Sequence, residues 1–86
     1  MGVVAAVMAL VKLPRGRRAA VAEVRASSLL AAELPARLRE LGFLDGEDIK
    51  VLATGLAGGP LAVRIGETTF ALRTREAECV TVRTLG

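Results

Sequence analysis

The residues of this chain that could take part in chemistry are few. Histidine is absent, so the commonest general base and the commonest transition-metal ligand are both missing. The one cysteine, Cys79, excludes an intramolecular disulfide and a thiolate metal cluster. A single cysteine also fits a reducing, cytoplasmic setting. We therefore expect no catalytic residues, no enzyme activity and no resident cofactor.

Two acidic groups are candidates for a divalent cation. Near the end of the chain, the thiol of Cys79 has the carboxylates of Glu76 and Glu78 as sequence neighbours. One thiolate offers too few ligands without a second chain, so only adventitious metal binding is expected there. The other group consists of three acids without EF-hand spacing, which are also ordinary at a turn: Asp45, Glu47 and Asp48.

Basic residues suggest a second class of function. Twelve lysines and arginines oppose nine acids, giving a formal net charge of +3, and only Arg15, Arg17 and Arg18 form a cluster. A single-strand binder would add exposed aromatic side chains, whereas this chain has two aromatics, Phe43 and Phe70. Solvated surface charge is the simpler interpretation and no nucleic acid is expected, but a small nucleic-acid-binding β-barrel remains the alternative function.

An amphipathic helix must position the central charged residues. Its signal is a series of leucines at i, i+4, i+8 and i+11, which predicts one buried face: Leu30, Leu34, Leu38 and Leu41. Pro35 removes a backbone donor, so we place it in the first turn of the main helix. Residues 28–32 then form a separate short turn.

The segment Arg37 to Gly46 joins this helix to the strands. Gly42 is placed to end the helix in the left-handed conformation, with Phe43 packing back on Leu38. Asp45 and Gly46 form the next turn. Packing and backbone geometry thus account for a structural motif of five residues: Leu38, Leu41, Gly42, Phe43 and Gly46. Three charged residues in the segment should face water and are free to meet a partner: Arg37, Arg39 and Glu40.

After Gly46 the apolar residues alternate with a period of two, which indicates strands. The alternating sets are Ile49, Val51 and Ala53; Leu61, Val63 and Ile65; Thr68, Phe70 and Leu72; Val80 and Val82. Gly66-Glu67 is typical of a type II′ hairpin. An irregular strand is expected at residues 19–25, and a helical turn at residues 74–78. The pattern predicts a mainly β domain with short helices: a small, partly open five-stranded β-barrel with a helix before the β-meander.

With 86 residues, the chain has room for one domain. The apolar run over residues 2–11 is about half the length needed to cross a bilayer, and it lacks the leading charge of a signal peptide. Met8 is an alternative start. We therefore divide the chain into an apolar extension, residues 1–9, and one domain, residues 10–86. The sequence does not determine the oligomeric state, but exposed strand edges and the apolar start are compatible with a homodimer.

Several motifs in this order resemble the FeoA family, small proteins of bacterial ferrous iron uptake. They are LPRG at residues 13–16, RLRELGF at 37–43 followed by Gly46, GGPL at 58–61, FALR at 70–73, and Glu76-Ala77. The resemblance covers about residues 10 to 82. It implies that the domain at residues 10–86 is an SH3-like barrel of FeoA type, and that the chain is a cytoplasmic adaptor.

The same resemblance implies a partner, the membrane transporter FeoB, whose activity the adaptor would modulate. Arg73 matches the family's FALR motif and joins Arg37, Arg39 and Glu40 as a candidate partner-binding residue. No direct membrane span is expected. Stimulation of GTP hydrolysis, gating of transport and assembly of the complex are all compatible with such a role.

Overall fold

A computed structural model of the chain describes residues 6–56 and 59–85. Within these ranges the chain is mainly β, as predicted, with a few short helices. The strands are β1 (Val7–Ala9), β2 (Ala19–Val24), β3 (Asp48–Thr54), β4 (Leu61–Ile65), β5 (Thr68–Leu72) and β6 (Val80–Thr84). The helices are α1 (Leu34–Leu41), α2 (Thr74–Ala77) and two 3₁₀ helices, Leu10–Lys12 and Leu29–Ala31.

The strands form one antiparallel sheet in the order β1-β6-β2-β3-β4-β5. Strands β1 and β5 lie at its two ends, and no ladder joins them within the described ranges. The sheet has six strands where the sequence predicted five, and closure of the predicted barrel stays a prediction. A register shift between Val21 and Glu23 in β2 confirms the irregular strand expected there.

The additional strand is β1, which lies inside the segment that the sequence placed outside the domain. It pairs with β6, and the pairing is extended by two hydrogen bonds between Ala6 and Thr84. The Ala6 amide donates to Thr84 Oγ1 at 2.9 Å, and the Thr84 amide donates to the Ala6 carbonyl at 2.8 Å. Sheet pairing is made mainly by backbone groups, which all residue types share. Three residues are also too few to show the alternation of apolar and polar side chains by which a strand is predicted from sequence, so β1 was missed.

The meander β3-β4-β5 contains the predicted two-residue hairpin. Ile65 pairs with Thr68 across Gly66-Glu67, and Gly66 has a φ of +58°. Two positions of the predicted alternating sets are exposed, however, Ala53 and Thr68. The register of β3 against β4 shifts between Val51 and Ala53, so the alternation breaks and Ala53 is exposed.

Helix α1 begins and ends as predicted. Pro35 lies in its first turn, and Gly42 follows its last residue with a φ of +111°. The amide of Gly42 donates to the Arg39 carbonyl and that of Phe43 to the Leu38 carbonyl, each at 3.0 Å. These two bonds are the Schellman arrangement, which satisfies carbonyls that the end of a helix leaves open.

The predicted leucine stripe is only half correct. Leu38 is buried and Leu34 half-buried, but Leu30 is 95% exposed and Leu41 is 41% exposed. Leu30 lies in the second 3₁₀ helix and not in α1, so the helical period does not carry through to it. Leu41 is in the last turn, and the buried residue beyond the chain reversal is Phe43.

One hydrophobic cluster draws on both helices and on strands β2 to β6. It is mainly aliphatic, with one aromatic pair: the ring of Phe43 lies 5.6 Å from that of Phe70, centroid to centroid. The largest fully buried side chains are Phe43, Leu10, Leu38, Val21, Val51, Val63, Val80 and Val82. This core fixes α1 against the sheet and so positions the exposed face of the helix.

Candidate functional site

The three charged residues predicted to face water on α1 are all exposed. Arg37 and Glu40 have no hydrogen bond or salt bridge within the part of the chain that the structure describes. Arg39 differs from them, because its Nη2 donates to the Val24 carbonyl and ties the helix to β2. Arg39 thus has a structural contact, and Arg37 and Glu40 remain available to a partner.

Leu41 belongs with these two residues. Residues three and four apart share one face of a helix, so Arg37, Glu40 and Leu41 lie together on the outer side of α1. The side chain of Leu38 is buried in the core, and Leu41 lies at the border between that buried side and the exposed one. We refer to Arg37, Glu40 and Leu41 as the outer face of α1.

Arg73 and Arg39 line different pockets. Arg73 is exposed and precedes α2, where its amide donates to Glu76 Oε1 at 2.7 Å. The open pocket that it lines also involves Pro60 and Arg75, whereas Arg39 lines a separate pocket beside β2. Within the described part of the chain, no hydrogen bond or salt bridge joins Arg73 to the three charged residues of α1.

The structure gives little support to the metal candidates. Cys79 is 2% exposed, and its Sγ lies 3.5 Å from the Arg75 carbonyl, while Glu78 is exposed and Glu76 is engaged at the start of α2. Asp45 of the other acidic group forms a salt bridge with Arg83. Across residues 6–56 and 59–85, no three His, Cys, Asp or Glu side chains are placed to hold a metal ion. The expectation that the chain has no resident cofactor stays a prediction.

A feature that the sequence reasoning missed lies just before α1. Leu29 and Leu30 are adjacent on the second 3₁₀ helix, and each is 95% exposed. Ala31, the next residue, is buried and its amide donates to the Ser28 carbonyl at 3.0 Å. The core therefore anchors this turn through a small residue and leaves two large apolar side chains in water. Pro35 was the signal in the sequence that could have indicated this exposure, since a proline in the first turn of α1 places Leu29 and Leu30 before the helix and outside its buried stripe.

We refer to Leu29 and Leu30 as the leucine pair. Further apolar surface follows at the other end of α1, where Leu41 is 41% and Leu44 is 49% exposed. Exposed leucines therefore occur on both sides of α1 in the chain, with the charges of Arg37 and Glu40 between them. Exposed apolar side chains next to charged ones are typical of a protein-binding surface.

No helix in the described ranges is long and apolar enough to cross a membrane.

Comparisons with known proteins identify the relatives of the chain. A profile of the FeoA domain matches residues 8–84. FeoA of Stenotrophomonas maltophilia, described as a prokaryotic SH3 domain protein and crystallised with zinc, is 42% identical over 87% of this chain and 88% of its own, with a TM-score of 0.76. FeoA of Chlorobium tepidum is 34% identical over 92% of this chain and 71% of its own, with a TM-score of 0.76.

A manganese-dependent transcriptional repressor has a TM-score of 0.79 but only 20% identity, over 96% of this chain and 44% of its own, so that likeness concerns the fold alone. No curated protein sequence matches significantly. The FeoA profile spans nearly the whole sheet and both α-helices, and the solved FeoA structures share the fold. The chain belongs to the FeoA family, small accessory proteins associated with ferrous iron transport.

Proposed function

We propose that this chain is a cytoplasmic accessory protein of bacterial ferrous iron uptake that docks on a FeoB-type membrane transporter and modulates its activity. Membership of the FeoA family supports the pathway. The observation that carries the docking is the leucine pair, because two adjacent leucines at 95% exposure have almost no contact with their own fold. Such side chains gain most when a partner covers them.

The size of that gain is large enough to matter for binding. Burying one leucine side chain is worth about 1.5 to 3 kcal/mol relative to leaving it in water. A few buried residues usually carry most of the free energy of an interface. The leucine pair therefore supplies the apolar centre of the docking surface in this proposal.

The outer face of α1 supplies the charged rim. Arg37 and Glu40 are exposed, and no ion pair within the described residues neutralises either of them. Rim charges mainly set the rate and specificity of association. Arg39 contributes less, because its guanidinium is engaged by Val24. Arg73 is a separate contact in this proposal, since it lies at the start of α2.

The alternative function, nucleic-acid binding, is less well supported. Phe43 is fully buried, and Phe70 is half-buried with its ring against that of Phe43. These are the only two aromatic residues of the chain, so no aromatic side chain is free to stack on bases.

Replacing the leucine pair tests the proposal. We expect the double variant Leu29→Ser/Leu30→Ser to keep its fold, because both side chains are 95% exposed. Its affinity for the purified transporter should fall about tenfold or more. Ferrous iron uptake should fall as well when the variant replaces the natural chain in cells. Binding is measured by co-purification and titration, and uptake with radioactive iron.

The control variant is Leu56→Ser, which removes a leucine that is 92% exposed but lies in the connection between β3 and β4. It should bind and support uptake like the natural chain. A variant of the helix residue Leu38, such as Leu38→Asp, would not test docking, because Leu38 is 1% exposed and a charge there would unfold the core. If removing the whole protein leaves both ferrous iron uptake and the activity of the transporter unchanged, the proposed function is wrong.

A further inference from the structure

A shallow cleft of about 160 Å³ lies on the outer face of the sheet, away from the leucine pair in the chain. Three cationic side chains line it: Arg18, Lys50 and Arg64. One acidic residue, Asp48, lines it as well. We refer to this site as the basic cleft.

The strand register brings these cations together. Lys50 of β3 is paired directly with Arg64 of β4, while their neighbours Ile49 and Ile65 are paired and buried. Because side chains alternate between the two faces of a strand, Lys50 and Arg64 share the outer face. Arg18 immediately precedes Ala19, whose partner is Ile49, and so lies beside Lys50.

This arrangement is unfavourable for the isolated chain. Like charges directly opposite each other in a sheet are destabilising. The two salt bridges found in the described residues join Arg25 to Glu23 and Arg83 to Asp45, so neither neutralises the cleft. Counting Asp48, the cleft carries two positive charges in excess. An anionic group from outside would relieve the repulsion.

We propose that the basic cleft binds a carboxylate of an acidic segment on a protein partner. Arg18 and Arg64 each offer a planar fork of donors that matches a carboxylate, and Lys50 adds a point charge between them. The amide of Gly66, at the edge of the cleft, already donates to the Asp48 carbonyl at 3.0 Å. The donors of the cleft are therefore side chains, unlike the backbone nests that hold phosphate.

A nucleic acid fits the cleft less well than an acidic segment. The two phenylalanines of the chain pack against each other at 5.6 Å, so neither is free to stack on a base beside the cleft. This proposal rests on the docking function proposed above, which identifies the partner, and it adds a second contact with that partner. The acidic segment would engage the sheet while the leucine pair engages a different part of the same partner.

The experiment is a titration of the isotope-labelled full chain with a hexaglutamate peptide blocked at both ends, at low salt, followed by NMR. We expect saturable shifts of the amides of Lys50, Arg64 and Gly66. The variant Lys50→Gln/Arg64→Gln should bind about tenfold more weakly. The control Arg25→Gln/Arg75→Gln removes the same charge outside the cleft and should change the affinity less than about twofold.

Three results would overturn the proposal: no shifts with the natural chain, equal binding by the Lys50→Gln/Arg64→Gln variant, or tighter binding at the same amides by inorganic phosphate or a thymidine oligonucleotide. Loss of binding in that variant with an unchanged spectrum elsewhere supports it. Arg64→Glu serves as a second variant, because charge reversal should abolish the shifts. The peptide titration is independent of the iron-uptake assay. Failure of the proposal for the basic cleft can therefore be distinguished from failure of the proposed docking function.

Discussion

At the residue scale, Phe43 connects the end of α1 to the sheet. Its amide donates to the Leu38 carbonyl, and its ring is fully buried beside Phe70. The backbone reversal at Gly42 is what turns this ring inward. Leu41 is the residue left on the surface when Phe43 enters the core, and this explains why a helical stripe that includes Leu41 is misleading.

We expect Phe43→Ala to lower the free energy of unfolding by about 3 to 5 kcal/mol, because it leaves a large cavity in the core. The matched variant Leu41→Ala should lower it by less than about 1 kcal/mol, since that side chain is 41% exposed. Urea denaturation followed by circular dichroism measures both. Equal losses for the two variants would contradict the assignment of Leu41 to the surface.

At the element scale, β1 depends on β6. Its three residues pair with the last strand, and Thr84, which is 4% exposed, holds the start of this pairing through its hydroxyl. Strand β1 also covers one edge of β6, while β2 covers the other. Strand β1 therefore protects a strand whose edge would otherwise be open to another chain.

Thr84→Val keeps the shape of the side chain but removes the acceptor for the Ala6 amide. We expect a loss of about 1 kcal/mol in the free energy of unfolding and faster hydrogen exchange of that amide. Thr81→Val is the control, because no partner of the Thr81 hydroxyl occurs within the described part of the chain. If exchange at Ala6 is the same in both variants, the Thr84 hydroxyl does not anchor β1.

At the scale of the whole molecule, one core joins all the main elements. The cluster includes Leu38 of α1, Ala77 of α2 and Val82 of β6, with Met8 of β1 packed against it. Neither helix has a hydrophobic core of its own. We therefore expect the chain to unfold as one cooperative unit, as small single domains usually do.

Val82→Ala tests this expectation, because Val82 is fully buried in the strand between β1 and β2. The variant should lose about 2 kcal/mol of unfolding free energy, from the lost methyl groups and the cavity that remains. Within the natural chain the native NMR signals of α1 and of β4 should disappear at one urea concentration. Within the variant they should again disappear together, at a lower concentration. Helix signals that persist after the sheet has melted would show two units.

The candidate site was predicted only in part. The charges of Arg37 and Glu40 were correctly placed in water, because polar positions on an amphipathic helix follow from its period. The leucine pair was missed, since a leucine at helical spacing usually marks a buried face. The basic cleft was missed as well, because Lys50 and Arg64 are far apart in sequence and meet through the register of β3 and β4.

Besides the resemblance to the FeoA family, the sequence by itself determined the local geometry of this protein: the end of α1 at Gly42, the turn at Gly46 and the hairpin at Gly66-Glu67. These features depend on backbone preferences within a few residues, which the residue types reveal directly. The tertiary structure alone decided the pairing of β1, the exposure of the leucine pair and the meeting of the three cations. Each of these depends on contacts between distant segments, which no local pattern specifies.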